Sequence, residues 1–294
     1  MNKNKTILVA GGDLRQVYTA QILAKENKVY TLGFDKSLLP SDKIKPIESP
    51  IMLEERVDFL ILPLPVSTDG ITLNTPFFKY SIPVESLPGM IKDGGIVFGG
   101  KFSEKIKDVF ASKGIETIDY FEREELSVLN AIPTAEGAVQ IAMEELPCTI
   151  FGQNVLVTGM GRISKVLVRI LTALGAKTTV AARKYSDLAW AEIYGCRGVH
   201  ISRLDESLGE YDIIFNTVPA LLFDEKRLKK LKKSCLAIDL ASKPGGFDLD
   251  AASANGVKTI WALSLPGKVA PVTSGEIIAH TILNILNERG EDNG

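Results

Sequence analysis

The residues best suited to chemistry lie together in Gln153-Asn154-Val155-Leu156-Val157-Thr158-Gly159-Met160-Gly161-Arg162-Ile163-Ser164. An apolar, β-branched run meets two glycines and then a helical pattern, which spells strand, tight turn and helix. Such a turn grips the pyrophosphate of a dinucleotide. The first glycine makes the turn, the second lets the backbone approach the phosphates, and the helix N-terminus supplies free N–H groups and a positive dipole end. Gly159, Met160, Gly161, Arg162 and Ile163 are therefore the residues expected around the phosphates. Ser164 stands where the G-x-G-x-x-G pattern has its third glycine, and its small side chain still permits close helix–strand packing. A glycine pattern alone is as often a plain turn, so its surroundings must decide.

A dinucleotide-binding fold offers a side chain to the adenosine ribose at the end of its second strand. An Asp or Glu there accepts from the 2′-hydroxyl and selects NAD, whereas a cation accommodates the extra phosphate of NADP. Here the strand ends Val180-Ala181-Ala182-Arg183-Lys184-Tyr185-Ser186, without a carboxylate at that place. Arg183 is suited to a planar grip on phosphate, with Lys184 and Ser186 as further donors, so NADP is the expected cofactor. Two later strand ends finish in small, polar or proline residues, Asn216-Thr217-Val218-Pro219 and Asp239-Leu240-Ala241-Ser242. Ligands of open α/β sheets lie across the carboxyl ends of the strands, which puts Thr217, Val218, Pro219, Asp239, Ala241 and Ser242 along the cofactor. The loop Ala262-Leu263-Ser264-Leu265-Pro266-Gly267-Lys268 follows the last strand and is expected to bring Leu263 and Ser264 toward the nicotinamide.

Short β-rich runs alternate with helical patterns almost throughout, which predicts parallel sheets covered by helices. The first half offers strands at 6–10, 28–32, 59–62, 95–98 and 116–118 and a helix over 15–25. The second repeats the rhythm at 154–158, 178–182, 213–216, 237–240 and 258–261. Pro133-Thr134-Ala135-Glu136-Gly137 begins like a helix start, and Pro147 stops that helix after about Glu145. The fold expected is α/β, two Rossmann-like doubly wound domains joined by this long interdomain helix. The first domain takes residues 1–130 and the NADP-binding domain 131–273, and a C-terminal helix near 274–290 is expected to pack back on the first.

At 294 residues the chain is long enough for two cores, and a formal charge of −2 gives no general pull toward nucleic acid or an anionic membrane. The basic run Lys226-Arg227-Leu228-Lys229-Lys230-Leu231-Lys232-Lys233 carries leucines at helical spacing and reads as the solvated face of one helix. Three scattered cysteines without C-x-x-C spacing argue against a disulfide framework and a metal site, and fit a reducing cytoplasm. No signal-type segment or long apolar span is evident.

The strand-end loops, with Gly11-Gly12-Asp13-Leu14-Arg15-Gln16, Pro133-Thr134-Ala135-Glu136-Gly137-Ala138 and Leu265-Pro266-Gly267-Lys268-Val269-Ala270-Pro271-Val272-Thr273-Ser274-Gly275, resemble the A-subunit family of bacterial dipicolinate synthase. The resemblance covers essentially the whole chain, and the layout is similar to the alanine and D-2-hydroxyacid dehydrogenases. It implies an NADP-dependent oxidoreductase step that forms pyridine-2,6-dicarboxylate from a dihydrodipicolinate-level intermediate of the lysine pathway. It further implies a partner, the smaller flavoprotein-like B subunit, within an oligomeric assembly. Expression in the cytoplasm of the mother cell during sporulation is implied too.

Gly11-Gly12-Asp13 looks like a second phosphate loop, but Asp13 would set a carboxylate beside the anion, so no nucleotide is expected there. Arg15 and Gln16, at the start of the next helix, suit a substrate carboxylate better. A dicarboxylate needs two such sites, and Lys101 and Lys268 are the other cations considered. The related hydroxyacid dehydrogenases use a His held by a carboxylate as proton shuttle. His200, near the third strand of the second half, and His280, in the final helix, are the only histidines, and neither stands in that place. Glu136 is the candidate base or substrate-orienting residue, against the alternative of a carboxylate favouring a helix N-terminus. The rival readings are a stand-alone amino-acid or 2-hydroxyacid dehydrogenase, and a sensory or scaffolding protein that binds NADP without chemistry.

Overall fold

Six strands pair in parallel to make the first sheet of the computed structural model, which describes residues 3–291. These are β1 (Thr6–Ala10), β2 (Lys28–Leu32), β3 (Ile44–Ile47), β4 (Val57–Ile61), β5 (Ile91–Gly99) and β6 (Glu116–Asp119). Their order is β3-β2-β1-β4-β5-β6. Every residue of β1 is buried, as parallel strands covered on both faces must be. The helices of this part are α1 (Leu14–Leu23), α2 (Glu104–Ala111) and α3 (Glu124–Leu129).

The second sheet has the same order, β12-β11-β10-β7-β8-β9. Its strands are β7 (Asn154–Thr158), β8 (Lys177–Ala182), β9 (Arg197–His200), β10 (Ile213–Asn216), β11 (Leu236–Asp239) and β12 (Lys258–Trp261). The helices are α4 (Ala131–Glu145), α5 (Arg162–Ala173), α6 (Tyr185–Ile193), α7 (Glu225–Leu228), α8 (Leu249–Ala254) and α9 (Leu265–Val269). One core fills the α4–α5 side of this sheet, around Leu167, Val168, Leu171 and Ile238. Another, around Tyr211, Phe223 and Phe247, fills the opposite side.

Both sheets therefore carry the 3-2-1-4-5-6 strand order of a doubly wound dinucleotide-binding fold. Contacts divide the chain after Leu129 and after Val269, so α4 belongs wholly to the second unit. Its close approach to α9 depends on Gly137, where a Cβ would stand 3.1 Å from both methyls of Val269. The final helix, α10 (Pro271–Glu291), belongs to the first unit and lies along α1. Gly275 permits that contact, because a Cβ there would come within 2.5 Å of the Arg15 carbonyl, and Thr19 donates to the Gly275 carbonyl at 3.0 Å.

Several local expectations need correction. The boundary expected at 273 falls earlier, because Pro271 already opens α10. The basic run 226–233 holds only the single turn of α7. Leu228 and Leu231 are buried, while Arg227 and Lys230 pair with Asp205 and Lys232 with Asp212. The segment after β12, expected to be a loop, is helical over 265–269. The helix around Glu136 begins at Ala131 rather than Pro133, and Thr134 donates to the Asn130 carbonyl instead of capping.

In the first unit, residues 62–90 join β4 to β5 without an α-helix and fold over the β1–α1 glycines. Gly12 N–H donates to the Asn74 carbonyl at 2.7 Å, and a Cβ on Gly11 would stand 2.8 Å from that same oxygen. The chain thus seals its own first glycine loop.

Candidate dinucleotide site

The turn between β7 and α5 has the geometry that phosphate binding requires. Gly159 sits at φ +86, where only glycine is unstrained, and a Cβ there would lie 2.8 Å from Thr217 Oγ1. Gly161 is the N-cap of α5, in extended backbone (φ −80, ψ −165), and no side chain caps the helix. A Cβ at Gly161 would meet nothing within 4 Å, so the space before an uncapped twelve-residue helix is open. This is the cradle an anion fits. Ser164 is fully buried, with its hydroxyl 2.9 Å from Thr217 Oγ1, which in turn donates to the Thr158 carbonyl at 2.7 Å. The serine in place of the third glycine thus ties β7, α5 and the turn after β10 together.

β7 and β10 are the adjacent strands at which the order reverses, and their carboxyl ends carry a buried polar network. Thr158 donates to Asn216 Oδ1, and Asn216 Nδ2 donates to Asp239 Oδ1 at 2.7 Å and to the Val218 carbonyl at 3.0 Å. Asp239 also accepts from Ala241 N–H at 3.1 Å and from Gly246 N–H at 2.7 Å. Asp239 is 1% exposed, so its carboxylate fastens the loop after β11 instead of facing a ligand, which corrects the expectation for it. Met160 and Ala241 are likewise buried; they shape the site only through their backbone. Thr217, Val218, Ile163 and Leu263 are half-buried at its wall, and Arg162, Pro219, Ser242 and Ser264 are exposed. Ser264 is held at φ +60, a left-handed conformation costing about 1 kcal/mol or more outside glycine.

At the end of β8 the guanidinium of Arg183 and the ammonium of Lys184 are exposed and form no ion pair among the described residues. Ser186 is exposed in the first turn of α6, whose N-cap is Lys184. The carbonyl of Arg183 lies 3.0 Å from His200 Nε2.

The expected substrate residues fare less evenly. Asp13 caps α1 by accepting from Arg15 N–H at 3.0 Å, and it also takes the Nε–Nη2 edge of Arg15 at 2.8–2.9 Å. Nη2 donates further to the Leu64 carbonyl. The fork meant for a substrate carboxylate is therefore already filled. Gln16 is 2% exposed, and its amide donates to the Leu62 carbonyl and to Tyr120, so it too is an internal residue. Tyr120 is wholly buried, which pushes its phenol well above the ordinary range. Lys101, at φ +56 just after β5, is exposed, with its ammonium 4.9 Å from the Phe121 ring centre. Lys268 on α9 and Glu136 in the second turn of α4 are exposed and unpaired among the described residues. Glu136 lies beyond the first turn, where the dipole would favour it. Among the described residues no cluster of metal-ligating side chains forms, and no helix is long and apolar enough to cross a membrane.

Twin parallel sheets in this order, one with an open glycine cradle, define a protein of the doubly wound dinucleotide-binding class. Residues 134–242 accordingly match the family model of the D-isomer specific 2-hydroxyacid dehydrogenase NAD binding domain. Residues 6–121 match that of the dipicolinate synthase A-subunit N-terminal domain. The dipicolinate synthase A-subunit of Bacillus subtilis (strain 168) is 30% identical over 98% of both chains. The crystal structure of its Bacillus halodurans counterpart superposes with a TM-score of 0.87 at 31% identity, over 97% of this chain and 99% of the other. A transhydrogenase from Sinorhizobium meliloti shares the fold at 14% identity, with a TM-score of 0.71 over 97% of this chain and 94% of the other. The chain belongs to the dipicolinate synthase A-subunit family.

Proposed function

We propose that this chain carries the NADP-dependent oxidoreductase step that forms pyridine-2,6-dicarboxylate from a dihydrodipicolinate-level precursor. Its working partner would be a flavoprotein-like B subunit, in an oligomer within the mother cell of a sporulating bacterium. The cofactor choice is carried by one observation: the end of β8 presents two unpaired cations, Arg183 and Lys184, and no carboxylate. A 2′-phosphate gains charge-assisted bonds there, whereas a free 2′-hydroxyl finds no carboxylate to accept its proton. NADP held at the Gly159–Gly161 turn and at Arg183 would supply the hydride chemistry for the substrate ring. Aromatisation then also requires loss of one proton, for which Glu136 is the exposed carboxylate we assign. Lys268, exposed and in the same unit as Glu136, is the cation we assign to a substrate carboxylate.

The test compares NADPH and NADH binding by isothermal titration. Removal of one bidentate phosphate contact in Arg183→Ala should weaken NADPH by about 10- to 100-fold and leave NADH within twofold. Equal affinity for the two cofactors in the parent protein would refute the assignment. Pyridine dicarboxylate formation with the B subunit present, measured for Gly161→Asp, then separates an enzyme from a scaffold. Undiminished synthesis without cofactor binding would favour the scaffold.

A further inference from the structure

The imidazole of His200, the last residue of β9, is in contact with both ends of the Arg183–Tyr185 turn. The residue pairs across the sheet with Ala182, and its Nε2 lies 3.0 Å from the Arg183 carbonyl. The ring face stacks on Tyr185 at 5.4 Å between centroids and 22° between planes. On the other edge, Nδ1 lies 2.8 Å from Ser202 Oγ and 3.3 Å from Ser202 N–H. Chemistry fixes the tautomer. A carbonyl only accepts, so Nε2 carries the proton, and a backbone N–H only donates, so Nδ1 is bare. One neutral form satisfies both partners.

We infer that His200 is a positioning residue for cofactor selectivity, holding the Arg183–Lys184 turn so that its cations meet a 2′-phosphate. The inference rests on the NADP reading above. Arg183 and Lys184 project from a turn whose side chains have no ion-pair partner among the described residues. Without the clamp, the backbone of the Arg183–Tyr185 turn must be ordered by the ligand itself, and that entropy opposes binding. The imidazole removes this cost in advance, from the neighbouring strand. Nothing in this arrangement touches the pyrophosphate cradle at Gly159–Gly161, so an analogue without the 2′-phosphate should be indifferent to it.

The experiment measures dissociation constants for NADPH and NADH in the full chain and in His200→Ala and His200→Gln, with Arg183→Ala as reference. His200→Ala should weaken NADPH by about tenfold, the worth of one ordered hydrogen bond, with NADH unchanged within twofold. Glutamine, whose amide N–H can donate in place of Nε2, should recover most of the loss. Unaltered NADPH binding in His200→Ala overturns the proposal, as does an equal loss for both cofactors, which would mean general damage to the unit. No recovery with glutamine overturns the hydrogen-bond latch. A parent protein without NADPH preference instead overturns the cofactor reading itself, and this role falls with it.

Discussion

Replacing Gly161 by alanine should separate cofactor binding from folding, because the added methyl points into empty space. Its backbone (φ −80, ψ −165) suits any residue, and nothing lies within 4 Å of the new Cβ. Alanine gains about 0.4–1 kcal/mol by restricting the unfolded chain. It loses a similar amount, about 0.5–1 kcal/mol, as a poorer N-cap. The net change in stability should stay within about 0.5 kcal/mol, or roughly 2 °C in Tm. A pyrophosphate brought to the α5 N-terminus would meet that methyl. Losing one charge-assisted backbone bond costs about 1.5–3 kcal/mol, so NADPH affinity should fall about 10- to 100-fold. Gly159→Ala is the contrast. It places alanine at φ +86 for about 1–2 kcal/mol and drives a Cβ to 2.8 Å from Thr217 Oγ1 for about 1–3 kcal/mol more. That variant should lose both cofactor and roughly 5–15 °C of Tm. Thermal scanning of the apo proteins and calorimetric titration with NADPH read the two effects separately. A Gly161→Ala protein that binds NADPH like its parent would show that no phosphate lies against this turn, and the site would have to be sought elsewhere.

Three further outcomes follow from the packing. Arg15→Ala should lower stability by about 1–2 kcal/mol, because the Leu64 carbonyl and the Asp13 carboxylate lose their donors, while leaving NADPH affinity unchanged; thermal scanning and titration together check this. Tyr120, whose folded pKa is raised by burial, stays protonated after its unfolded counterpart ionises near 10. Its contribution is complete below pH 10 and is lost as pH climbs above it, so urea unfolding between pH 8 and 12 should show an alkaline decline that Tyr120→Phe flattens. Cys148 is exposed, whereas Cys196 is buried and burial pushes the Cys235 thiol up to about 12. At pH 8 a charged thiol reagent should label one cysteine quickly and the other two only after denaturation, as mass spectrometry of the modified peptides would report.

The central strands were legible because burial on both faces leaves continuous apolar runs, as in Thr6–Ala10 and Asn154–Thr158. The edges were not. Ile44–Ile47 contains Pro46, which a strand tolerates only at a sheet edge, and its four residues carry too little periodicity to stand out. The helix Leu265–Val269 was hidden by Pro266 and Gly267, residues that ordinarily mark turns. In the second unit the glycine turn was readable since strand, turn and helix follow one another in sequence. What sequence could not reveal is competition for the same atoms. Asp239 and Gln16 are polar residues at strand or helix ends, as ligands would be, yet internal partners already hold them. The His200 clamp escaped notice for a related reason: it joins residues 17 positions apart through a sheet register that only folding creates.

The first glycine loop, closed by Asn74 and occupied at its helix end by Asp13, bears on stoichiometry. A chain built as two sheets of one strand order has the outward form of a tandem duplication, and that form invites the expectation of two bound dinucleotides. With one cradle plugged by its own backbone, a saturating titration should count one per chain. The plugged copy keeps the scaffold of a nucleotide domain, with its strand ends released for other work.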